Sequence, residues 1–403
     1  MTYSVKYIHI NKNMIVYYGG DALKLKKITV IFCSLFFALS TGEAKKCSAL
    51  DKPEVSAKAA VLIEAATGEI IYEKTAHTKL PMASTTKIMT TLLCLESGNL
   101  DEEFVVDSEA IRTEGSSMGL QEGDIVSKRD LCIGMLLPSG NDAANATAVH
   151  IGGSVEGFAE LMNKRAEQIG MTRTCFVTPS GLDAQGHGSS AYDMALLARE
   201  ALKNKDFAQI CSQETIKLSF GNPPYDRWLK NTNKLLSMYD GVTGVKTGFT
   251  DEAGRCLVSS CTQNNVSLIC VTLNAPSDWE DHRKLYDYGF SQLKAEKIIP
   301  ESFVVKVVGG IADEIGLVSY TDTFIGVKDG DFPELTAEAY IENFLYAPVE
   351  EGTYAGYVEY FYKDRLVARN DLYTSGYTEI YKGKKEKEES TISRIIDFLK
   401  NIF

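Results

Sequence analysis

The sequence predicts an α+β protein in which helices pack on an antiparallel sheet, followed by a small all-β domain. Strand patterns occur at 59–64 and 68–72, before a helix-rich middle, and at 242–249, 255–262 and 266–274, after it. This order favours one sheet closed by pairing between strands that are distant in sequence. After Gly289-Phe290, short runs of Val, Ile, Tyr and Phe alternate with turn signals, which is typical of a small β domain.

Helical periodicity fills the middle of the chain, at 84–97, 127–137, 141–150, 154–169 and 190–203. The first of these helices follows Pro81 and Ser84, a combination that is typical of a helix start. The glycine-containing stretch 241–250 is predicted to be an edge strand. We therefore expect a sheet-and-helix domain over 51–292 and a β-rich domain over 295–383.

Composition excludes some classes of function. The 403 residues carry a formal net charge of −12 and no basic stripe with interleaved aromatics, so nucleic acid is not an expected partner. The nine cysteines form no C-x-x-C pair and no metal-ligand spacing, which favours buried free thiols, although a Cys256–Cys261 bridge stays open. No metal-binding, nucleotide-binding or cofactor motif is present, so we expect no metal and no cofactor.

Both ends of the chain predict a location outside the cytoplasm. Residues 1–44 combine lysines, an apolar run over 28–39 and small residues, as in a secretory signal peptide. A buried strand or helix is the alternative. Residues 384–403 combine a charged tether with apolar residues at helical spacing, which predicts a membrane-associating amphipathic helix. The alternative is a helix packed on the protein's own surface.

The first candidate motif is S-x-x-K, with Ser84 and Lys87 three residues apart. On a helix these side chains project from the same face, and the serine lies at the positive end of the helix. A lysine activates a serine only when it is partly neutral, and burial beside another cation lowers its pKa in that direction. The alternative is an ordinary capping serine with a solvated lysine.

Two further motifs follow. Ser139 and Asn141 lie on one predicted turn, where a serine and an amide can relay a proton and hold a substrate amide; a simple helix-capping turn is the alternative. Lys246, Thr247 and Gly248 lie on the predicted edge strand, where an extended peptide can add and its carboxylate can be bound. The alternative is a strand weakened by its glycine. Lys246 also supplies the second cation that Lys87 requires.

Other patterns are weaker. Residues 115–119 fit the G-x-S-x-G nucleophile elbow, but polar residues precede them where a buried strand is needed, so we reject an elbow. His150, His187 and His282 are possible bases elsewhere, although a lone histidine is more often structural.

The three motifs and their flanks resemble the low-molecular-mass penicillin-binding D-alanyl-D-alanine carboxypeptidases over about 55–290. The similar segments are 65–68, 81–90, 136–146, 161–163, 178–182, 192–195, 244–250 and 253–258. The resemblance implies a β-lactamase/transpeptidase-like fold. The β domain and the C-terminal tail match this family's architecture more loosely.

The resemblance also implies roles. Ser84 attacks the bond between two D-alanines of a peptidoglycan stem peptide, Lys87 takes the serine proton, and Ser139 with Asn141 returns one to the leaving D-alanine. Lys246 and Thr247 bind the terminal carboxylate, and the amides of Ser84 and Phe249 form the oxyanion hole. Water then releases the product, and penicillins acylate the same serine. Some relatives add a carboxylate-binding arginine, and Arg283 does not clearly occupy its place.

Two rival functions share these residues. A serine β-lactamase needs a deacylating glutamate in an E-x-x-L-N context, and the segment 160–163 does not have that spacing. A catalytically silent wall-binding scaffold is the other rival; it would not need an intact set of site residues, which here are Ser84, Lys87, Ser139, Asn141 and Lys246. We therefore expect an active, exported carboxypeptidase at the outer face of the cytoplasmic membrane.

Overall fold

The computed structural model describes residues 3–8, 15–17, 51–298, 302–328 and 335–382 of the chain. These residues form two compact units. The larger unit contains described residues 51–297 and 324–328; the second, which we call the β unit, contains 3–8, 15–17, 298, 302–323 and 335–382. The predicted tail at 384–403 and all of the predicted signal peptide except 3–8 and 15–17 lie outside the described residues.

The described strands are β1 (Tyr3–Ile8), β2 (Ile15–Tyr17), β3 (Ala59–Glu64), β4 (Ile70–Lys74), β5 (Glu103–Val105), β6 (Ile125–Ser127), β7 (Thr215–Gly221), β8 (Pro224–Lys230), β9 (Val242–Thr250), β10 (Gly254–Gln263), β11 (Val266–Leu273), β12 (Leu293–Ile298), β13 (Phe303–Val308), β14 (Glu314–Val318), β15 (Thr323–Lys328), β16 (Leu335–Ile341), β17 (Leu345–Tyr346), β18 (Tyr354–Tyr362) and β19 (Arg365–Thr374). The described helices are α1 (Lys87–Glu96), α2 (Lys128–Leu136), α3 (Asn141–Gly152), α4 (Val155–Ile169), α5 (Ala191–Ala201), α6 (Lys205–Cys211), α7 (Leu235–Met238) and α8 (Asp278–Gln292). A 3-10 turn, Ala83–Thr86, precedes α1.

The sheet of the larger unit has the strand order β4-β3-β11-β10-β9, and every neighbouring pair is antiparallel. The early strand β3 pairs with the late strand β11, with Val61 opposite Val271. This pairing between distant segments closes the sheet and confirms the predicted α+β class. Strand β9 lies at one edge, with one side of its backbone unpaired within the sheet.

Helices cover both faces of this sheet. All six residues of β3 are buried, because apolar side chains pack on both sides of it. Helices α1 to α5 share the larger core with one face, and α8 packs on the other. Gly289 allows α8 to approach closely, since a Cβ there would lie 2.6 Å from Leu62 and 2.7 Å from Leu268.

The structure differs from the predicted elements at several points. The helix predicted over 84–97 starts as the 3-10 turn and becomes an α-helix only at Lys87. Helix α6 and the hairpin β7–β8 were not predicted. Helix α6 has only seven residues, too few for a clear helical period, and begins where the Asn204 side chain accepts a hydrogen bond from the Phe207 N–H.

The β unit has the all-β character predicted for the C-terminal part of the chain, but β1 and β2, which lie in the predicted signal peptide, also join its sheet. Its main sheet has the order β17-β13-β14-β19-β18-β16-β1-β2. Burial alternates along β13, where Phe303, Val305 and Val307 are buried and the residues between them are exposed. Val307 packs with Ile315 and Val349 in a small apolar cluster. Among the described residues, no helix has both the length and the apolar character needed to cross a bilayer.

Candidate active site

Ser84 lies in the 3-10 turn that leads directly into α1. No side chain caps the start of the turn or of the helix, so the Ser84 hydroxyl is not used as a helix cap. Lys87 Nζ lies 2.9 Å from Ser84 Oγ. The three-residue spacing therefore brings the two side chains together, and the capping alternative does not apply.

Lys87 is fully buried and its amine has three oxygen neighbours. Besides Ser84 Oγ, these are Asn141 Oδ1 at 2.7 Å and the Ser180 carbonyl at 2.7 Å. Burial lowers the pKa of Lys87 well below its ordinary value, and the charge of Lys246 lowers it further. Asp142 opposes this shift but does not reverse it.

The neighbours of Lys87 determine which hydrogen bonds its amine makes when it is neutral. A neutral lysine keeps two N–H bonds and gains one lone pair. The oxygens of Asn141 and Ser180 are carbonyl oxygens and can only accept, so they take the two N–H bonds. The lone pair then faces Ser84, whose hydroxyl can donate its proton to the amine.

Ser139 lies in the connection between α2 and α3, and Asn141 is the first residue of α3. Ser139 has a left-handed backbone, with φ of 67°, and Gly140 rather than Ser139 holds the cap position of α3. Asn141 donates from Nδ2 to the Glu114 carbonyl at 2.7 Å, which directs its Oδ1 towards Lys87. The S-x-N segment is thus linked to the serine–lysine pair, and the simple capping alternative does not apply.

The edge strand β9 passes beside the 3-10 turn Ala83–Thr86, which we call the nucleophile turn because it carries the candidate nucleophile Ser84. A Cβ on Gly248 would lie 3.0 Å from the Met82 carbonyl oxygen and 3.1 Å from the Ser84 nitrogen. Glycine is favoured here because a larger residue would force the strand and the turn slightly apart. The next residue, Phe249, is 64% exposed and lies at the open edge.

Lys246 is a residue of β9 and is almost completely buried. Its Nζ donates to the Thr247 carbonyl at 3.0 Å, and burial lowers its pKa to about 7. The Thr247 hydroxyl lies 2.7 Å from that of Thr232, which follows β8. The Lys246 amine is therefore held against the backbone of Thr247, whose own hydroxyl contacts that of Thr232.

Sequence reasoning missed several residues that support the site. Gly181 has φ of +86°, and a Cβ there would lie 2.0 Å from the Ala83 carbonyl oxygen. The segment 178–182 thus packs directly on the nucleophile turn and supplies the Ser180 carbonyl. The family resemblance included this segment, but a backbone carbonyl has no side-chain signature. Thr232 gave no sequence signal.

The three candidate histidines have different surroundings. His187 contacts the nucleophile turn through Thr86, with Nε2 2.9 Å from the Thr86 hydroxyl. His282 is fully buried between Ser259 and Thr272, and His150 stacks on a phenylalanine ring. The structure thus places one of the three beside the nucleophile turn.

The remaining candidates lie elsewhere. Residues 115–119 form neither strand nor helix, so the rejected elbow has no structural basis. Arg283 pairs with Glu280 and lines a cavity of about 310 Å³ together with Arg255 and Trp279. Cys256 and Cys261 are both buried free thiols, so the bridge left open by the sequence is not formed. Among the described residues, no group of three or more His, Cys, Asp or Glu side chains is placed to hold a metal ion.

An antiparallel sheet between two helical layers, with a serine–lysine pair beside its edge strand, defines a serine acyl-transfer enzyme. Comparison with known families gives the same class. The family described as D-alanyl-D-alanine carboxypeptidase matches residues 46–277, and the C-terminal domain of penicillin-binding protein 5 matches residues 294–386. The chain belongs to the D-alanyl-D-alanine carboxypeptidase family, whose members are serine peptide hydrolases.

Individual relatives extend over most of the chain. The D-alanyl-D-alanine carboxypeptidase DacF of Bacillus subtilis is 34% identical over 346 residues, covering 81% of this chain and 88% of the relative. DacC of Escherichia coli is 32% identical, covering 80% and 84%. Among solved structures, penicillin-binding protein 5 of Haemophilus influenzae has a TM-score of 0.59 at 30% identity, covering 82% of this chain and 99% of that one. The Streptomyces K15 DD-transpeptidase has a TM-score of 0.58 at 31% identity, covering 60% and 100%.

Proposed function

We propose that this carboxypeptidase removes the terminal D-alanine from peptidoglycan stem pentapeptides through an acyl-enzyme on Ser84. The observation that carries the proposal is the position of Lys87, a buried amine with a lowered pKa that contacts Ser84 and two carbonyl oxygens. In this arrangement the neutral lysine accepts the serine proton as the hydroxyl attacks. Free D-alanine and a peptide shortened by one residue are the products.

The first step forms the bond between Ser84 Oγ and the carbonyl carbon of the penultimate D-alanine. The backbone amides of Ser84 and Phe249 stabilise the developing oxyanion; the close packing of Gly248 on the Ser84 nitrogen supports this assignment. The carbon–nitrogen bond then breaks, and the proton held by Lys87 passes through Ser139 to the leaving amine. Water hydrolyses the ester and restores Ser84.

Lys246 and Thr247 bind the terminal carboxylate of the substrate. The short contact between Thr247 and Thr232 supports this role, since it places a second hydroxyl near the same group. A carboxylate beside Lys246 also favours the protonated form of this lysine, whose pKa in the free protein is lowered to about 7. β-Lactams carry an equivalent carboxylate and acylate Ser84 in the same way.

The enzyme acts on the cell wall. We further propose that residues 1–44 direct export and that residues 384–403 attach the protein to the outer face of the cytoplasmic membrane; removal of residues 1–44 on export would leave the sheet of the β unit without β1 and β2. The lysines and apolar run of the first segment and the apolar periodicity of the second support this proposal.

The direct test is the release of D-alanine from a peptide that ends in D-Ala-D-Ala. Ser84→Ala should reduce release by about 1,000-fold or more, because no other group can form the acyl-enzyme. Ser116→Ala is a matched control, since Ser116 is an exposed serine near the site. It should retain release within about twofold of the parent.

The other outcomes separate the rival functions. Rapid hydrolysis of penicillin without D-alanine release would indicate a β-lactamase. A protein that neither releases D-alanine nor is labelled by penicillin would be a silent scaffold. Equal activity of Ser84→Ala and the parent would refute the assigned nucleophile.

A further inference from the structure

The β unit exposes a group of large apolar side chains on three neighbouring segments. We call this group the apolar end patch; it consists of Val308, Ile311, Phe344, Tyr346, Ile380 and Tyr381. Three of them are more than 60% exposed, at 71% for Tyr346, 66% for Ile311 and 62% for Tyr381. Exposed apolar groups of this kind mark sites of contact with proteins or membranes.

Backbone pairing shows that the three segments are adjacent. Val308 pairs with Tyr346 across the parallel strands β13 and β17. The Ile311 N–H donates to the Glu379 carbonyl at 3.0 Å, and the Tyr381 N–H donates to the Gly309 carbonyl at 2.8 Å. The patch is therefore one surface at one end of the unit and not a set of scattered side chains.

The chain leaves this surface towards its C-terminus. Lys382, directly after Tyr381, is the last described residue, and 21 residues follow it. Their sequence contains a lysine-rich stretch and then apolar residues at helical spacing. Only a short segment of chain would connect the patch to a membrane helix formed by these apolar residues.

The composition of the patch fits the interface of a lipid bilayer. Tyrosine combines an apolar ring with a hydroxyl that remains hydrated, which is why it is enriched at the level of the lipid headgroups. Ile311, Ile380 and Val308 supply purely apolar area. Lys382 and the lysines after it are suited to anionic headgroups.

We propose that the apolar end patch is a second membrane contact, through which the β unit itself lies against the lipid interface. This extends the proposed attachment through residues 384–403, because it adds a folded surface to that anchor. Two weak contacts on one chain bind more strongly than either alone. The β unit is then held at the membrane in one orientation, with the patch towards the lipid.

The test uses the full chain and vesicles of phosphatidylethanolamine and phosphatidylglycerol. The patch variant carries Ile311→Ser, Tyr346→Ser and Tyr381→Ser, and the control carries Tyr320→Ser and Leu366→Ser. Tyr320 and Leu366 are also exposed, but strand register places them far from the patch. The patch variant should bind vesicles about tenfold more weakly, and the control should bind like the parent.

Insertion can be measured directly. Both tryptophans, Trp228 and Trp279, lie in the larger unit, so a tryptophan placed in the β unit can be compared with the parent background. Brominated lipids should quench the added fluorescence of Tyr346→Trp and leave that of Tyr320→Trp unchanged. Equal quenching of the two would overturn the proposal.

Three other results would also overturn it. Unchanged vesicle binding by the patch variant would assign attachment to the tail alone. Stronger binding would indicate that the protein's own tail covers the patch. A change from dimer to monomer in the patch variant, with binding unchanged, would assign the surface to a second copy. Circular dichroism and thermal unfolding of the same samples show that each variant is folded, and neither measurement depends on the proposed reaction.

Discussion

Lys87 and Lys246 are both buried at the base of the site. Within the described residues, neither forms a salt bridge with a carboxylate; Lys87 contacts three neutral oxygens and Lys246 contacts one. Burial without an opposite charge disfavours the protonated amine, so both pKa values are lowered. In the proposed mechanism the two lysines have different requirements, since Lys87 must be neutral to accept a proton and Lys246 must be charged to attract a carboxylate.

This difference predicts the pH dependence of acylation. The rate should rise as Lys87 loses its proton and fall as Lys246 loses its own, giving a bell-shaped profile. Lys246→Met removes the neighbouring charge, so the pKa of Lys87 should rise and the acidic limb should move to higher pH. The maximum rate should fall by about 10- to 1,000-fold, because the carboxylate loses its cation.

The measurement is the rate of penicillin labelling from about pH 5 to about pH 10. Lys164→Met, which removes an exposed charge on α4, is the control and should keep the parent profile. An acidic limb that stays in place or moves to lower pH in Lys246→Met would show that the two lysines are not coupled.

His187 is expected to position the nucleophile turn. Its Nδ1 accepts from the Val177 N–H at 3.0 Å, so Nε2 carries the proton and donates to the Thr86 hydroxyl. That hydroxyl donates to the Ala83 carbonyl at 2.8 Å. Burial lowers the pKa of His187 to about 4, which keeps the ring neutral at physiological pH.

We expect His187→Ala to lower kcat about tenfold with little change in KM, because the turn loses this support while carboxylate binding is untouched. His187→Gln should recover much of the loss, since an amide can also accept and donate. Steady-state kinetics on a D-Ala-D-Ala peptide provide the measurement. A loss confined to thermal stability would indicate a purely structural histidine.

The nucleophile turn is a strained element held by its neighbours. Ala83 has φ of 48°, a left-handed value that is uncommon for a residue with a side chain. The turn is packed between β9, through Gly248, and the segment 178–182, through Gly181. Contacts from these two elements hold the backbone of the turn in its unfavourable conformation, as is expected for a strained functional site.

Gly181→Ala tests this arrangement against a matched glycine. Gly181 and Gly186 have similar left-handed backbones, with φ of +86° and +84°, so alanine brings a similar conformational strain of about 1 kcal/mol at either position. A Cβ at Gly186 meets nothing within 4 Å, whereas at Gly181 it meets the Ala83 carbonyl. Only Gly181→Ala must displace the turn.

We therefore expect Gly181→Ala to slow penicillin acylation by about 100-fold and Gly186→Ala to change it by less than about threefold. Labelling rates and thermal unfolding on both variants separate displacement of the turn from general strain. Similar acylation rates for the two variants would contradict the proposed packing.

These elements show which parts of the site the sequence could predict. The S-x-x-K spacing predicted the contact between Ser84 and Lys87, and the pattern around Lys246 predicted the edge strand. Side-chain chemistry and local periodicity were sufficient there. The Ser180 carbonyl was not predictable, because its role depends on tertiary packing of a loop against α1.

At the scale of the whole molecule, the predicted α+β class with an all-β part is present, but two details of the chain path were not predicted. Strands β1 and β2, which lie in the predicted signal peptide, join the sheet of the β unit, and β15 leaves that unit. Strand β15 pairs with β12, and its residues 324–328 belong to the larger unit. There the Gly326 N–H donates to buried Glu64 at 3.3 Å. No local pattern in 324–328 distinguishes this strand from those of the β unit, so its pairing with β12 is evident only from the structure.

The buried lysines should also reduce the stability of the whole fold. The pKa of Lys246 is lowered from 10.5 to about 7 on folding, so the unfolded chain binds this proton more tightly than the native protein. Native stability should therefore rise between about pH 7 and about pH 10.5, and the full cost of burying the charge applies below that window. Replacing Lys246 with an apolar residue of similar length removes this cost.

Lys246→Met should thus raise the free energy of unfolding by about 1–3 kcal/mol near pH 6 and by much less near pH 10, while D-alanine release falls. Denaturant unfolding at both pH values measures the effect, with Lys164→Met as the control for removal of one positive charge. A variant less stable than the parent at pH 6 would mean that contacts of the Lys246 side chain outweigh the burial of its charge. If the free energy of unfolding of Lys246→Met rises more at pH 6 than at pH 10, the charge of Lys246, which is proposed to bind the substrate, lowers the stability of the native fold.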